Sequence, residues 1–132
     1  MAANLAGRKV AVLATDGVEQ VELTAPWQAL KEAQADVTLL SIKNGDIQGL
    51  IHDEKADTFH VDRLVKEVSA RDFDALVIPG GVRNTEALRA SPEAVSFVRG
   101  FMELDKPVAA ICQAPRILVE AHAVEGRTLT SH

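Results

Sequence analysis

The sequence contains one cysteine, Cys112, and its position favours a reactive thiol. Cys112 ends the apolar run 108–112 and precedes Gln113-Ala114-Pro115, where we expect a strand to turn into a helix. A thiol at a helix N-terminus meets the positive end of the helix dipole and backbone N–H groups, which favour the thiolate and can bind a developing oxyanion. The alternative is that Cys112 is a small buried apolar residue, as free cysteines often are.

Two carboxyl groups follow the first apolar run of the chain. Glu19 and Glu22 are three residues apart, and we expect both on one face of the first turn of a helix over 19–32. An ionised carboxylate would oppose formation of a nearby thiolate, so a carboxyl group can assist a thiol only when it is protonated and donates a hydrogen bond. The sequence therefore predicts one buried, protonated glutamate. For either residue alone, the alternative is a favourable charge at a helix N-terminus.

The turn Pro79-Gly80-Gly81 comes directly after another apolar run, 75–78. Two adjacent glycines permit positive φ and a close approach of the backbone to a ligand. The same residues also serve as a simple end to a strand, so the turn is a weak signal when taken alone.

His132 is the histidine whose position could bring it to the same place. It follows the run 128–131, which predicts a short strand, and it would then lie at the end of that strand facing the cleft. The alternative is a surface position, which we also expect for His52, His60 and His122.

The elements that would position these residues alternate between strands and helices. Apolar runs of four to six residues that are bounded by turns are typical of strands covered on both faces. Apolar residues spaced three and four apart, with Ser91 and Pro92 at the start, predict a helix. Such alternation predicts a flavodoxin-like three-layer α/β/α sandwich with a mainly parallel sheet, whose ligands bind beyond the carboxyl ends of the strands. The predicted strands are 9–14, 36–42, 75–78 and 108–112; the predicted helices are 19–32, with a kink or break at Pro26, 92–104 and 116–122; and 44–62 is expected to hold short irregular strands before a small helix near 62–68.

Composition limits the classes of protein that fit this sequence. The 132 residues allow one domain, and the core should be aliphatic because 47% of residues are apolar but only 4% aromatic. A net charge of −5 without a basic cluster argues against nucleic-acid or membrane partners. One cysteine excludes an intrachain disulfide and a multi-thiolate metal site, so we expect no metal and no cofactor. With no apolar leader or span, the protein is expected in the cytoplasm.

Three segments together resemble the ThiJ/PfpI superfamily, in the branch of PfpI-type intracellular proteases and general stress proteins that is related to the Parkinson-associated deglycase. The resemblance implies the fold class described as class I glutamine amidotransferase-like. It divides the chain into a flexible leader, 1–7, and a single domain, 8–132, that lacks the last strand and helix of family members. The three segments are Asp16-Gly17-Val18-Glu19-Gln20-Val21-Glu22-Leu23, Phe73-Asp74-Ala75-Leu76-Val77-Ile78-Pro79-Gly80-Gly81-Val82 and Lys106-Pro107-Val108-Ala109-Ala110-Ile111-Cys112.

The resemblance assigns roles to the residues already identified. It makes Cys112 the nucleophile at a sharp elbow and Glu22 the protonated carboxyl that hydrogen-bonds it, with Glu19 beside it. The backbone N–H groups of Gly81 and Gln113 would form the oxyanion hole, next to Gly80.

Two further residues match the family pattern, and one position departs from it. His132 falls at the pocket histidine, and Glu86 is the nearest match to an acidic residue that a neighbouring subunit contributes in PfpI-type proteases. Those proteases have histidine directly after the cysteine, where this sequence has Gln113. The base that would activate the thiol for amide cleavage is therefore missing, which weakens the case for a peptidase.

Three functional hypotheses share this site. The first is a cysteine-dependent hydrolase of the deglycase or glyoxalase type, acting on small carbonyl compounds or modified proteins. The second is a redox-sensing or chaperone-like stress protein that works through oxidation of Cys112. The third is a PfpI-type intracellular cysteine peptidase. We expect a homodimer or higher homo-oligomer.

Overall fold

A five-stranded parallel sheet forms the centre of the molecule, and a smaller three-stranded sheet lies beside it. The computed structural model describes residues 4–111. Within that range the central sheet has the order β6-β3-β1-β7-β8, and the second has the order β2-β4-β5. The elements are β1 (Lys9–Leu13), β2 (Val18–Glu19), α1 (Gln20–Glu32), β3 (Asp36–Ser41), β4 (Asp46–Ile51), β5 (Glu54–His60), β6 (Arg63–Leu64), β7 (Ala75–Ile78), α2 (Val82–Arg89), α3 (Pro92–Glu103) and β8 (Val108–Ala110), with 3₁₀ turns at Val65–Glu67 and Ala70–Asp72.

Strand β1 is apolar from Val10 to Leu13 because both of its faces are covered there. It pairs in parallel with β3 on one side and β7 on the other. Val10 and Val12 pack into the cluster that includes α1, whereas Ala11 and Leu13 pack into the cluster that includes α3. Successive side chains of a strand point to opposite faces, so helices on both faces require an unbroken apolar run. The predicted three-layer, flavodoxin-like sandwich is confirmed.

The core is less purely aliphatic than the composition predicts. Phe73, Phe97 and Phe101 pack edge to face in the cluster under α3, with ring centroids 6.1 and 5.1 Å apart. Three of the four phenylalanines are therefore concentrated on one side of the sheet.

Helix α3 follows the predicted pattern, and α1 departs from it. Ser91 caps α3 by accepting a hydrogen bond from the N–H of Ala94 at 3.2 Å, and Pro92 occupies its first turn. Helix α1 runs through Pro26 without the break that we predicted as one outcome. Leu23 and Trp27 anchor the turns on either side in the core, which compensates for the backbone donor that proline lacks.

The segment expected to hold short irregular strands forms a hairpin whose register shifts between Gln48 and Leu50. Strands β4 and β5 pair antiparallel, and β4 pairs in parallel with β2. The small helix predicted near 62–68 is replaced by β6 and a 3₁₀ turn, and α2 was not predicted. The predicted helix 116–122 and the strand 128–131 lie outside the described residues. None of the helices in residues 4–111 has the length and apolar character needed to cross a membrane.

Candidate functional site

A cavity of about 350 Å³ opens at the carboxyl ends of β1 and β7. Three separate segments form its walls: residues from 17–22, residues from the hairpin tip at 50–53, and residues 81–83. This is the edge of a parallel α/β sheet at which ligands bind. The cavity brings together Glu19, Glu22 and Gly81, which the sequence singled out.

Two glycines let the loops after β1 and β7 touch through their backbones. Gly17 and Gly81 have φ of 89° and 109°, in the region that favours glycine. A Cβ on Gly81 would lie 2.5 Å from the carbonyl oxygen of Gly17 and 2.8 Å from the nitrogen of Glu19. A side chain at Gly81 would therefore force the two loops apart. The close approach seen at Gly81 is to the loop after β1, whereas the sequence predicted a close approach to a ligand, which stays a prediction.

Glu22 is fixed against the glycine turn. It lies in the first turn of α1, is half-buried, and accepts a hydrogen bond at Oε1 from the N–H of Gly80, 3.0 Å away. The N–H of Glu19 in turn donates to the carbonyl oxygen of Gly80 at 3.1 Å. The start of α1 and the glycine turn thus hold each other, which orients the Glu22 carboxyl group towards the cavity that it lines.

Glu19 reaches the cavity from a different element than predicted. It is in β2 and precedes α1, rather than sharing the first helical turn with Glu22. Its Oε2 accepts a hydrogen bond from the backbone N–H of His52 at 3.1 Å. His52 has φ of 57° at the tip of the hairpin and is exposed, as expected, but it also lines the cavity.

Asn84 joins the loop after β1 to the loop after β7, and it was not predicted from the sequence. Its side chain is fully buried; Oδ1 accepts from the N–H of Thr15 at 2.7 Å, and Nδ2 donates to the carbonyl oxygens of Pro79 and Gly80 at 2.9 and 3.3 Å. Asn84 therefore fixes the ends of β1 and β7 relative to each other. The one feature of the sequence that points to Asn84 is its position three residues after Gly81. It lies at the start of α2, a helix that was not predicted.

Arg83 and Asp53 also line the cavity and were missed. Arg83 is in the first turn of α2, and Asp53 is in the tip of the hairpin. Both could have been found only by predicting those two elements, since neither residue stands in a recognisable motif.

Of the remaining predicted site residues, only Glu86 falls within residues 4–111. Cys112, Gln113 and His132 are outside the described residues. Glu86 is exposed on α2, 3.6 Å from the guanidinium of Arg89, and does not line the cavity. Across residues 4–111, no group of three or more histidine, cysteine, aspartate or glutamate side chains is arranged to hold a metal ion.

Comparison with known proteins decides the family. Residues 8–132 match the model of the DJ-1/PfpI family. The chain belongs to this family. Deglycase TK1284 of Thermococcus kodakarensis is 40% identical over 123 residues, which cover 93% of this chain and 71% of that protein. General stress protein 18 of Bacillus subtilis is 38% identical, covering 96% and 72%.

A solved structure agrees with the observed architecture. The crystal structure of VC2308 protein superposes with a TM-score of 0.84 at 26% sequence identity, over 95% of this chain and 63% of that one. This chain therefore spans a little under two thirds of that solved chain and about 72% of curated relatives such as General stress protein 18.

Proposed function

We propose that this protein is a cysteine-dependent hydrolase of the DJ-1/PfpI family that removes reactive-carbonyl adducts from thiol and amino groups during stress. Cys112 is the nucleophile in this proposal. Glu22 and His132 transfer protons, and the N–H groups of Gly81 and Gln113 bind the developing oxyanion.

The observation that carries the proposal is the placement of Glu22 at the exit of the central sheet. Ile111, the residue before Cys112, donates its N–H to the carbonyl oxygen of Ile78 at 3.1 Å. Ile78 directly precedes the turn whose Gly80 N–H binds Glu22. Ile111 is therefore at the same edge of the sheet as the turn that fixes the Glu22 carboxyl group. Cys112 is the next residue in the sequence, and consecutive Cα atoms are about 3.8 Å apart.

The names of the relatives support the proposed hydrolase activity and the proposed role in stress. Proteins named deglycase occur among relatives that are 36 to 40% identical, including one from Escherichia coli named protein/nucleic acid deglycase 2. The name of General stress protein 18 supports a role in stress. The missing histidine at position 113 makes this hydrolase a better proposal than a peptidase.

The proposed reaction balances as a hydrolysis. The hemithioacetal of methylglyoxal and a thiol, RS–CH(OH)–CO–CH₃, takes up one water and yields lactic acid and RSH. The former aldehyde carbon is oxidised and the neighbouring ketone carbon is reduced, so no external oxidant is needed. The required groups are a nucleophile, proton donors and acceptors, and oxyanion binding, which are the roles assigned above.

Turnover of the methylglyoxal–N-acetylcysteine hemithioacetal tests the proposal. Cys112→Ser should abolish lactate formation, and Glu22→Gln should lower kcat about 100-fold or more because an amide cannot transfer the proton. Glu32→Gln is the matched control, since Glu32 is exposed at the far end of the same helix, and it should behave as wild type.

Equal turnover by wild type and Cys112→Ser would overturn the hydrolase. If the wild type forms no lactate but intact mass shows stepwise oxygen addition at Cys112 with mild peroxide, the redox-sensing hypothesis replaces it.

A further inference from the structure

One cationic side chain in the wall of the cavity has no partner within the described part of the chain. Arg83 lines the cavity together with Glu22 and Gly81. Among residues 4–111, no hydrogen bond or ion pair engages its guanidinium group. Arg89, on the same helix, differs in this respect because its Nη1 is 3.6 Å from Oε1 of Glu86.

The stem of Arg83 is packed against the glycine loop. A Cβ placed on Gly17 would lie 2.4 Å from the Cβ of Arg83, so the absence of a side chain at Gly17 makes room for the arginine. Gly17 is itself held by its N–H, which donates to the carbonyl oxygen of Gln48 at 2.9 Å. The base of the arginine is therefore positioned beside the glycine turn, while its exposed guanidinium is available to a ligand in the cavity.

We propose that Arg83 binds a carboxylate on the substrate, so that the site prefers adducts of free amino acids and other small carboxylate-bearing thiols and amines over adducts on uncharged amides. This inference rests on the proposed function and specifies its substrate class. A guanidinium group presents paired donors that match the two oxygens of a carboxylate.

The other charges around the cavity favour a single negative charge on the ligand. Glu19, Glu22 and Asp53 also line it, and no other lysine or arginine of the described chain does. Glu19 is already engaged by the N–H of His52. A phosphate dianion would meet more repulsion from these acidic side chains than a carboxylate, which carries a single negative charge to pair with the single arginine.

Two hemithioacetals that differ only in charge test this inference. They are the methylglyoxal adducts of N-acetylcysteine and of N-acetylcysteine amide. Wild-type kcat/KM should be about tenfold higher for the carboxylate adduct than for the amide adduct. The expected factor is no larger because the arginine is exposed and solvent weakens its pairing with a carboxylate. Arg83→Gln should bring the ratio of the two kcat/KM values close to one, and Arg83→Lys should leave an intermediate ratio because it keeps the charge but loses the paired donors.

Arg89→Gln is the matched control, and it should leave the ratio unchanged. If wild type turns over both adducts with equal kcat/KM, the inference is wrong while the proposed hydrolase stands. If Arg83→Gln lowers both values equally, the arginine does not recognise the carboxylate, and the inference is also wrong.

A binding measurement keeps the inference testable if neither adduct is hydrolysed. Calorimetric titration of the wild type with unreactive N-acetyl-S-methylcysteine and its amide should show tighter binding of the acid, lost in Arg83→Gln. Equal affinity for acid and amide would overturn the inference independently of the reaction.

Discussion

Asn84 combines complete burial with a fully engaged amide group. It accepts one hydrogen bond from the end of β1 and donates to two carbonyl oxygens of the turn after β7. Burying a polar group costs free energy unless it is hydrogen-bonded, so this residue stabilises the one relative position of the two loops in which its bonds are made. The Glu22 carboxyl and the Gly81 backbone depend on that position, because both are attached to the same turn.

We predict that Asn84→Ala lowers the free energy of unfolding by about 2–3 kcal/mol, because it leaves the N–H of Thr15 buried without its partner. The neighbouring Thr85→Val is the control. Within residues 4–111 the buried Thr85 hydroxyl has no hydrogen-bond partner, so a valine of similar shape should be neutral or stabilise by up to about 1 kcal/mol. Urea denaturation measures both, and an equal loss in the two variants would contradict the explanation.

Some residues of the candidate site could be predicted from the sequence, and others could not. Glu22, Gly80 and Gly81 stand in recognisable positions directly after apolar runs, and the structure brings them together. Asn84 and Arg83 could not be found in this way. A buried asparagine and an exposed arginine look alike in a polar segment, because burial is decided by the packing of distant loops.

The hairpin of β4 and β5 is joined to the site through the loop after β1. Oδ1 of Asp16 accepts from the N–H of Gln48 at 2.8 Å, and the N–H of Gly17 donates to the carbonyl oxygen of Gln48 at 2.9 Å. Gln20 and Asp57 exchange two further hydrogen bonds of 2.8 Å. The hairpin, whose tip forms one wall of the cavity, is thus held by contacts in the middle of its two strands.

We predict that Asp16→Ala loosens this hairpin without unfolding the central sheet. Amide hydrogen exchange of β4 and β5 should accelerate about fivefold, the equivalent of one hydrogen bond, while β1 and β7 keep their protection. Lys43→Met is the control because it removes only the exposed ion pair with Asp16, 3.0 Å long, and should change exchange little. Uniform acceleration across both sheets would show that the hairpin is not an independent unit.

The elements differ in how clearly the sequence encodes them, for physical reasons. Strand β7 was predicted with its observed bounds because Ala75–Ile78 is covered and therefore apolar. Strand β5 is mostly exposed and reads Glu-Lys-Ala-Asp-Thr-Phe-His, so it has no apolar run to mark it. Helix α2 was missed because Asn84 and Thr85 occupy two of its three buried positions and interrupt the apolar periodicity.

At the scale of the whole molecule, two apolar clusters on opposite faces of one sheet stabilise the fold. Leu13 and Val12, adjacent on β1, belong to different clusters. A change in one cluster is therefore transmitted through the backbone of the same central strand, and we expect the domain to unfold as one cooperative unit.

We predict that Phe101→Ala lowers the free energy of unfolding by about 3–5 kcal/mol, a large share of the total for a domain of this size. Phe101 is 0% exposed and packs on Phe97 with a ring-centroid distance of 5.1 Å. Leu104→Ala, at a residue 42% exposed, should change stability by no more than about 0.5 kcal/mol. Thermal and urea unfolding should agree, and a Phe101→Ala loss below 1 kcal/mol would contradict this account of the core.

The hydrogen bond from Gly80 to Glu22 joins residues 58 apart in sequence, and the walls of the cavity come from three such distant segments. No short peptide cut from this chain would reproduce the cavity, because the hairpin tip and the turn after β7 are both held in place by the segment 17–22. A compound that binds there must therefore stabilise the entire domain against heat, by an amount that grows with its concentration. Occupancy could then be followed as a rise in melting temperature, with no chemical turnover and no labelled reagent, in a screen of small molecules.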